Sequence, residues 1–290
     1  MKKIYDCFTF FNELDLLELR LEELYHHVDY FVIVESDHTF TNIPKPYIFK
    51  QNIHRFSKFM DKIRYIRIKS LGDSDPWTNE RYQRNAVIRG CAGASENDIF
   101  MISDVDEIPR PSVVNYIRNS DYDMYAVHLP FFYYKFNFVS INPECYRPNF
   151  IATKMSIATE IGAQNIRIRC GDPTSRCGGE HFTFTPYKYK NYSYKNIHHG
   201  GWHFSYLGSN DKVKEKFVSF SHASEQNPDY VNAFNMESEI YSPHSERFIV
   251  RIDSYFPATI LNNLDKYQQY IATGAEKTIH DYYPNISDEL

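Results

Sequence analysis

Two short apolar runs constrain the fold of this chain more than any other feature of its sequence. Residues 30–34 (YFVIV) and 99–102 (IFMI) are continuous apolar runs, which are typical of strands buried on both faces of a sheet. Residues 4–10 predict an earlier strand, and leucines at helical spacing over residues 14–24 predict a helix with one buried face. Strands and helices therefore alternate along the start of the chain.

The order of the predicted elements indicates the fold class. Residues 63–68 alternate as IRYIRI and predict a further strand, and residues 80–92 predict a second helix. The first half then has the order β-α-β-β-α-β, which is typical of a largely parallel sheet wrapped by helices. We expect an α/β fold with a mostly parallel central sheet.

After residue 121 the pattern changes. Strands, one of them an aromatic strand or loop, are predicted over residues 124–129, 131–138 and 153–168. Helices are predicted over residues 211–221, 229–241 and 257–270. We expect residues 1–225 to form the main domain and residues 226–290 to form a helical extension packed on it.

Composition narrows the class of protein. The formal net charge is −5, which argues against a nucleic-acid-binding protein that neutralises phosphates. No apolar run approaches the roughly 20 residues of a membrane span, and the first residues lack the apolar core of a signal peptide. Five cysteines, an odd number without a tight framework, suggest a reducing compartment. We therefore expect a cytoplasmic protein without a membrane span.

Polar side chains follow the predicted strands at the points where they end. Asn12 and Glu13 follow the first strand, Glu35 follows the second, and Asp104 follows the run at 99–102. In open α/β sheets, ligands bind outside the carboxyl ends of the strands. We therefore expect these four residues to contribute to ligand binding.

The strongest candidate for chemistry is Asp104-Val105-Asp106. Two acidic groups separated by one residue point roughly the same way in a turn and can share a divalent cation. Carboxylate oxygens suit Mn²⁺ or Mg²⁺, and such a cation would neutralise a leaving diphosphate. The alternative is that both carboxylates cap the helix after Pro109.

The helix before this motif carries Arg81, Arg84 and Asn85. Arg81 and Arg84 share one face, because they are three residues apart. A guanidinium group there can bind a phosphate through two hydrogen bonds. The alternative is an ordinary solvated helix face.

A second constellation is Gly200-Gly201-Trp202-His203. Glycines let the backbone approach a ligand closely, Trp202 can stack on a sugar, and His203 can bind a metal or a phosphate. The alternative is a glycine turn followed by a buried strand.

Taken together, these motifs resemble glycosyltransferase family 17, a family of N-acetylglucosaminyltransferase-like enzymes. The matching stretches are residues 4–15 (IYDCFTFFNELD), 31–35 (FVIVE), 40–41 (FT), 44–46 (PKP), Trp77, 80–81 (ER), 83–84 (QR), 102–109 (ISDVDEIP) and 201–205 (GWHFS). They run from the start of the chain to about residue 225. Several motifs in one order are more specific than any single motif.

The resemblance implies a GT-A fold, a UDP-sugar donor such as UDP-GlcNAc, Mn²⁺ (or Mg²⁺), a carbohydrate acceptor and inversion at the anomeric carbon. The animal members are Golgi enzymes with a membrane anchor. Because this sequence shows no anchor, we expect a bacterial or viral relative that acts in the cytoplasm of a bacterial cell or of an infected host.

Inversion requires a base that takes the proton of the acceptor hydroxyl. In GT-A enzymes this carboxylate often follows the sugar-binding Gly/Trp segment, so the resemblance points to Asp211, with Glu180 and Glu225 as alternatives. A simple helix cap is the other reading of Asp211.

Two other classes of protein compete with this prediction. A metal-dependent nucleotidyltransferase or phosphohydrolase also uses paired aspartates at strand ends, but no phosphate-binding glycine motif supports either. A noncatalytic carbohydrate-binding protein would use the 17% aromatic content to bind sugars without a metal or UDP.

Overall fold

A seven-stranded sheet forms the centre of the computed structural model, which describes residues 1–142, 147–169, 192–223, 226–242 and 245–284. With strands numbered in chain order, this sheet contains β1 (Ile4–Thr9), β2 (Tyr30–Ser36), β3 (Ile63–Ile68), β4 (Ile99–Asp104), β6 (Met124–Leu129), β9 (Arg147–Lys154) and β10 (Tyr194–Ile197). A second sheet of five strands contains β5 (Glu107–Pro109), β7 (Phe131–Tyr133), β8 (Phe138–Ser140), β11 (Gly201–Ser205) and β12 (Arg247–Ile249).

Helices cover both faces of the large sheet. Those before the middle of the chain are α1 (Leu14–Leu24), α2 (Ile48–Gln51), α3 (Pro76–Asn85) and α4 (Pro111–Asn119). The later ones are α5 (Met155–Ile161), α6 (Ala163–Arg169), α7 (Asn210–Ser219), α8 (Pro228–Ala233), α9 (Met236–Ile240), α10 (Ala258–Leu261) and α11 (Leu264–Tyr267). Short 3₁₀ helices are Ile53–Phe59, Ala86–Cys91, Gln268–Tyr270 and Ile279–Asp281.

The strand order of the large sheet is β10-β6-β9-β4-β1-β2-β3. Strand β9 is antiparallel to β4 and β6, and the other neighbouring pairs are parallel. The predicted α/β fold with a mostly parallel sheet is therefore confirmed. The prediction of strands over 153–168 is wrong beyond β9, because residues 155–169 form α5 and α6. Met155 and Ala158 are buried and three residues apart, which is helical spacing.

The order of the strands reverses between β1 and β4. From β1 the chain proceeds to β2 and β3 on one side, and then crosses back to place β4 on the other side of β1. Thr9 and Asp104, the last residues of these two strands, are register partners. Ligands of open α/β sheets bind in the crevice beside such a reversal, so the sheet topology itself marks this edge.

The two faces of the large sheet bury separate apolar clusters. Phe8 and Ile33 belong to the cluster under α1, whereas Cys7 and Val32 belong to the cluster on the opposite face. This alternation follows from the period of two in a strand. Continuous apolar runs were thus the correct indicator of strands covered on both faces.

The C-terminal segment packs on the rest of the fold. Ile260 and Tyr267 join the cluster under α1, and Phe234 packs with Tyr134 and Phe217 in a third cluster. The predicted helices in this segment are each broken into short helices, and β12 adds a strand to the second sheet. The domain boundary at residue 225 stays a prediction. None of the helices in the described ranges is long and apolar enough to cross a membrane.

Candidate active site

A cavity of about 570 Å³ lies at the carboxyl ends of β1 and β4. This volume is within the roughly 300–1,000 Å³ that is usual for small-molecule sites. Five residues that the sequence predicts for the site line it, namely Glu13, Arg84, Asp104, Asp106 and His203. The fold thus brings together residues from the end of β1, from α3, from the end of β4 and from β11 of the second sheet.

Arg20, a fully buried residue of α1, holds the turn that carries Asp104 and Asp106 from the side of the protein core. Its Nε and Nη2 atoms donate to the carboxylate of Asp6 at 2.8 and 2.6 Å. Its Nη1 atom donates to the backbone oxygens of Asp104 and Glu107 at 2.8 and 2.9 Å. The buried arginine therefore fixes the backbone of the turn, and both aspartate side chains reach the cavity.

Asp104 lies between two guanidinium groups. Arg84 Nη2 is 3.0 Å from one carboxylate oxygen, and Arg167 Nη2 is 3.2 Å from the other. Burial alone would raise the pKa of Asp104, but the charges of Arg84 and Arg167 outweigh it and hold the pKa well below its usual range. Arg167 also pairs with Glu107 at 2.6 Å. Asp104 is therefore ionised at neutral pH.

Asp106 lies beside a lysine and a histidine. Lys216 Nζ on α7 is 2.8 Å from Asp106 Oδ2, and His203 Nε2 is 3.7 Å from Oδ1. Burial lowers the pKa of His203 to about 4, although Asp106 acts in the opposite direction. His203 is therefore neutral at pH 7, the state in which an imidazole nitrogen can coordinate a metal.

The donor atoms at this edge of the sheet fit a hard divalent cation. Asp104 and Asp106 both line the cavity, and Mg²⁺ is usually bound through one or two carboxylates plus water and substrate phosphates. Within the described residues, no three acidic, histidine or cysteine side chains converge on a complete protein metal site. The residues therefore suit a cation that takes its remaining ligands from the substrate.

The alternative reading of the two aspartates as helix caps is wrong. Helix α4 begins at Pro111, its N-cap residue is Arg110, and no side chain caps it. The interpretation of Asp211 as a helix cap is wrong as well, because the N-cap residue of α7 is Ser209, and its side chain accepts a hydrogen bond from the backbone of Lys212. Asp211 lies exposed in the first turn of α7 and is not among the described residues that line the cavity.

Two predicted ligand-binding residues are buried in the protein instead. Glu35 has no exposed surface and accepts hydrogen bonds from Tyr65 Oη at 2.6 Å and from the backbone nitrogen of Phe49 at 3.2 Å, so it supports the start of α2. Trp202 is 1% exposed, and its Nε1 donates to the backbone oxygen of Tyr255 at 3.0 Å. Because neighbouring side chains in a strand face opposite sides, His203 faces the cavity and Trp202 faces the core.

The glycines before Trp202 serve strand packing. A Cβ atom on Gly201 would lie 2.2 Å from the backbone oxygen of Ile108, and one on Gly200 would lie 2.3 Å from Val127 Cγ1. The close approach predicted from these glycines is therefore to the protein's own strands. The alternative reading, a glycine turn followed by a buried strand, describes this segment.

The remaining predicted residues lie around the cavity or outside the described ranges. Arg81 and Asn85 are exposed, and Asn85 Oδ1 accepts from the backbone of Gln164. Asn12 lines a small recess beside the cavity and donates to Glu215 at 2.8 Å. None of these three belongs to the described lining of the cavity itself. Glu180 and Glu225 lie outside the described residues.

Several cavity residues were not predicted from the sequence. They are Glu80, Tyr133, Tyr206, Lys216, Tyr230 and Arg247. One signal was present for Lys216, because it lies next to Phe217 and three residues after Val213, on the buried face of α7. A lysine on an apolar helix face is unusual unless its charge has a partner.

A stack of rings leads from the aspartates along the cavity. His203 packs on Phe131 with ring centroids 4.0 Å apart, and Phe131 packs on Tyr133 at 4.3 Å. The guanidinium of Arg247 lies 4.1 Å from the centre of the Tyr133 ring. The stack thus extends from His203, which lies beside Asp106, to the guanidinium group of Arg247.

Comparison with known proteins finds sequence similarity in the first half of the chain. The sequence model of glycosyltransferase family 17 matches residues 1–160. The rat and human enzymes named beta-1,4-mannosyl-glycoprotein 4-beta-N-acetylglucosaminyltransferase are each 28% identical to it over 129 residues, which is 41% of this chain and 24% of each relative. The match thus spans about a quarter of the length of these relatives. The residues matched by the family model include both strands of the order reversal and the turn with Asp104 and Asp106.

Proposed function

The chain belongs to glycosyltransferase family 17, and from this we propose that it transfers a sugar, N-acetylglucosamine, from a UDP-sugar to a glycan hydroxyl. The observation that carries the proposal is the position of Asp104 and Asp106 in the cavity beside the reversal of strand order. A nucleotide-binding crevice is expected at that place in an open α/β sheet. The same topology supports a GT-A type of fold.

The diphosphate of the donor would lie against Asp104 and Asp106. Mn²⁺ or Mg²⁺ held by these two carboxylates would neutralise the charge that develops on the leaving diphosphate. Arg84 and Lys216 line the same cavity and place fixed positive charge beside the aspartates. Charge-assisted hydrogen bonds from such groups to phosphate oxygens favour the anion further.

Glu13 is the best-placed candidate for the base of an inverting reaction. The described carboxylates that line the cavity belong to Glu13, Glu80, Asp104 and Asp106. Glu80 pairs with Arg84 at 2.6 Å, and each aspartate pairs with a cationic side chain. Within the described residues Glu13 forms no salt bridge, and its Oε2 accepts from the backbone of Phe11 and Asn12. It would take the proton of the acceptor hydroxyl.

An assay of UDP release tests the proposed function. The protein is incubated with UDP-GlcNAc, UDP-glucose and UDP-galactose, in Mn²⁺ or in EDTA, and UDP and pyrophosphate are measured. The proposal expects UDP release from UDP-GlcNAc in Mn²⁺ only. Release of pyrophosphate would indicate a nucleotidyltransferase, and the absence of both products together with no affinity for UDP would overturn the proposal.

A further inference from the structure

The cavity has two walls of different chemistry. The first wall comes from the ends of β1 and β4 and from α3, and it carries the aspartates. The second wall comes from the second sheet and the segment after it, with Tyr133 on β7, Tyr206 after β11, Tyr230 on α8 and Arg247 on β12. We infer that this second wall binds the acceptor sugar, an inference that rests on the proposed function.

The direction of the reaction places the acceptor on this side. In an inverting transfer, the acceptor hydroxyl forms its new bond to the anomeric carbon on the face opposite the leaving diphosphate, while the bond from that carbon to the diphosphate oxygen breaks. The proton of the hydroxyl goes to the base, and the electron pair of the broken bond goes to the diphosphate. With the diphosphate at Asp104 and Asp106, the acceptor must occupy a part of the cavity away from the aspartates, and the stack of rings that ends at Arg247 leads to such a part.

The second wall has the chemistry that binds a sugar. The rings of Tyr133 and Tyr206 are nearly parallel, at 6° with centroids 6.3 Å apart, and Tyr230 is 41% exposed. Tyrosine presents an apolar body for the C–H groups of a pyranose and a hydroxyl for its polar edge. Arg247 is held over Tyr133 and lies 3.5 Å from Glu239 Oε2, so its guanidinium is a positioned hydrogen-bond donor on this wall.

The backbone of this wall is held in an uncommon conformation. Tyr134 and Tyr206 have φ angles of 63° and 56°, and both line the cavity with ring centroids 6.2 Å apart. Bulky side chains rarely adopt this left-handed region, and such residues cluster at ligand-binding sites. At each of these two residues the backbone turns after a strand, and both rings line the cavity.

The second wall lies largely outside the family match. The match ends at residue 160, whereas Tyr206, Tyr230 and Arg247 come later in the chain. Of the side chains that contact the two aspartates, Arg84 lies within the match, whereas Arg167, His203 and Lys216 lie beyond it. Three of the four residues that define this wall thus lie beyond the matched segment, and under the inference they determine the choice of acceptor.

Saturation-transfer NMR with simple sugars tests the inference. The probes are the methyl glycosides of mannose, galactose and N-acetylglucosamine, each added to the full chain in the presence of Mn²⁺ and UDP. At least one should bind the wild-type protein, and its signal should fall at least about fivefold in Tyr230→Ala and in Arg247→Ala. Tyr241→Ala and Arg251→Ala are matched controls, because both residues are exposed and neither belongs to the described lining of the cavity.

UDP affinity, measured by calorimetry on the same variants, separates this inference from the proposed function. The inference expects UDP affinity to stay within about twofold of the wild type in all four variants. A tenfold loss of UDP affinity in Tyr230→Ala or Arg247→Ala would assign the wall to the donor and overturn the inference. Wild-type protein that binds UDP but none of the three glycosides would overturn it too. Failure of the wild type to bind UDP would instead contradict the proposed function.

Discussion

The Nη1 atom of Arg20 lies 2.8 Å from the backbone oxygen of Asp104 and donates a hydrogen bond to it. Arg20 is on α1 and has no exposed surface, and its second partner, Asp6 on β1, is fully buried as well. One buried arginine thus connects the first strand, the first helix and the turn that carries the candidate metal ligands. The geometry of that turn depends on a side chain that does not line the cavity.

Arg20→Met should destabilise the protein strongly. The substitution leaves the carboxylate of Asp6 buried without its partner, which typically costs about 3–5 kcal/mol. Urea unfolding measures the change. Arg55→Met is the control, because Arg55 also pairs with two carboxylates, Asp15 and Glu18, but is 29% exposed. Such a surface pair contributes about 1 kcal/mol or less. Equal losses in the two variants would contradict the role assigned to Arg20.

Asp104→Asn and Asp106→Asn should each remove the dependence of UDP binding on Mn²⁺. The reason is that a neutral amide is a much weaker ligand for a hard cation than a carboxylate. Calorimetry of UDP in Mn²⁺ and in EDTA gives the comparison, and Asp121→Asn, with a side chain that is 85% exposed, is the control. Wild-type protein with the same UDP affinity in both buffers would refute metal-assisted binding.

Arg84→Ala should weaken UDP binding about ten- to a hundredfold, since a hydrogen bond to a charged group contributes about 1.5–3 kcal/mol. It should also lower the melting temperature, because Glu80 is buried and would lose its partner at 2.6 Å. Arg81→Ala, three residues away on the exposed face of α3, should change neither quantity. A fall in melting temperature with unchanged UDP affinity would make Arg84 purely structural.

Glu13→Gln should lower turnover by about 10²–10⁴-fold and leave the affinity for UDP intact, as expected for loss of a general base. Asp211→Asn is the matched comparison, because this carboxylate is exposed and is not part of the described cavity wall. We expect it to retain nearly full turnover. If Asp211→Asn loses activity and Glu13→Gln does not, the assignment of the base is reversed.

The stability of the protein should fall as the pH is lowered from 7 to 4.5, in part because of His128. Burial, and then the neighbouring His198 ring at 4.5 Å, lower the pKa of His128 to about 3. Between its pKa in the unfolded chain, about 6.5, and that value, the unfolded chain binds a proton that the folded protein does not, so acid favours unfolding.

His128→Gln should remove this contribution, roughly 2 kcal/mol between pH 7 and 4.5, from the pH dependence of urea unfolding. The exposed residue His54 provides the control His54→Gln, which should show the same pH dependence as the wild type. An unchanged slope in His128→Gln would show that other groups account for the acid sensitivity.

Local sequence patterns were sufficient to predict five of the seven strands of the central sheet, β1 to β4 and β6, and the position of the aspartates. A run such as residues 99–102 has enough apolar side chains to be buried wherever it pairs, so it predicts a strand without knowledge of its neighbours. Asp104 comes two residues after the end of that run and is the last residue of β4, at the carboxyl edge of the sheet. The order of strands and helices along the chain then favours a parallel sheet with its crevice at this edge.

Only the tertiary structure decided which polar side chains reach the crevice. Glu13 lies in the segment after β1 and lines the cavity, whereas Glu35 lies inside β2 and is buried beside Lys45. Trp202 and His203 are neighbours, and pairing of β11 with β5 determined which of them faces inward.

The partners of the aspartates also depended on the tertiary structure. Lys216 lies 110 residues from Asp106 in sequence, and Arg167 lies 63 residues from Asp104. Periodicity reports only which face of one element is buried, whereas such pairs are set by how separate elements pack. The sequence thus determined where the candidate site lies in the sheet, and the packing of the second sheet and α7 against it determined the charges and the rings that line the cavity.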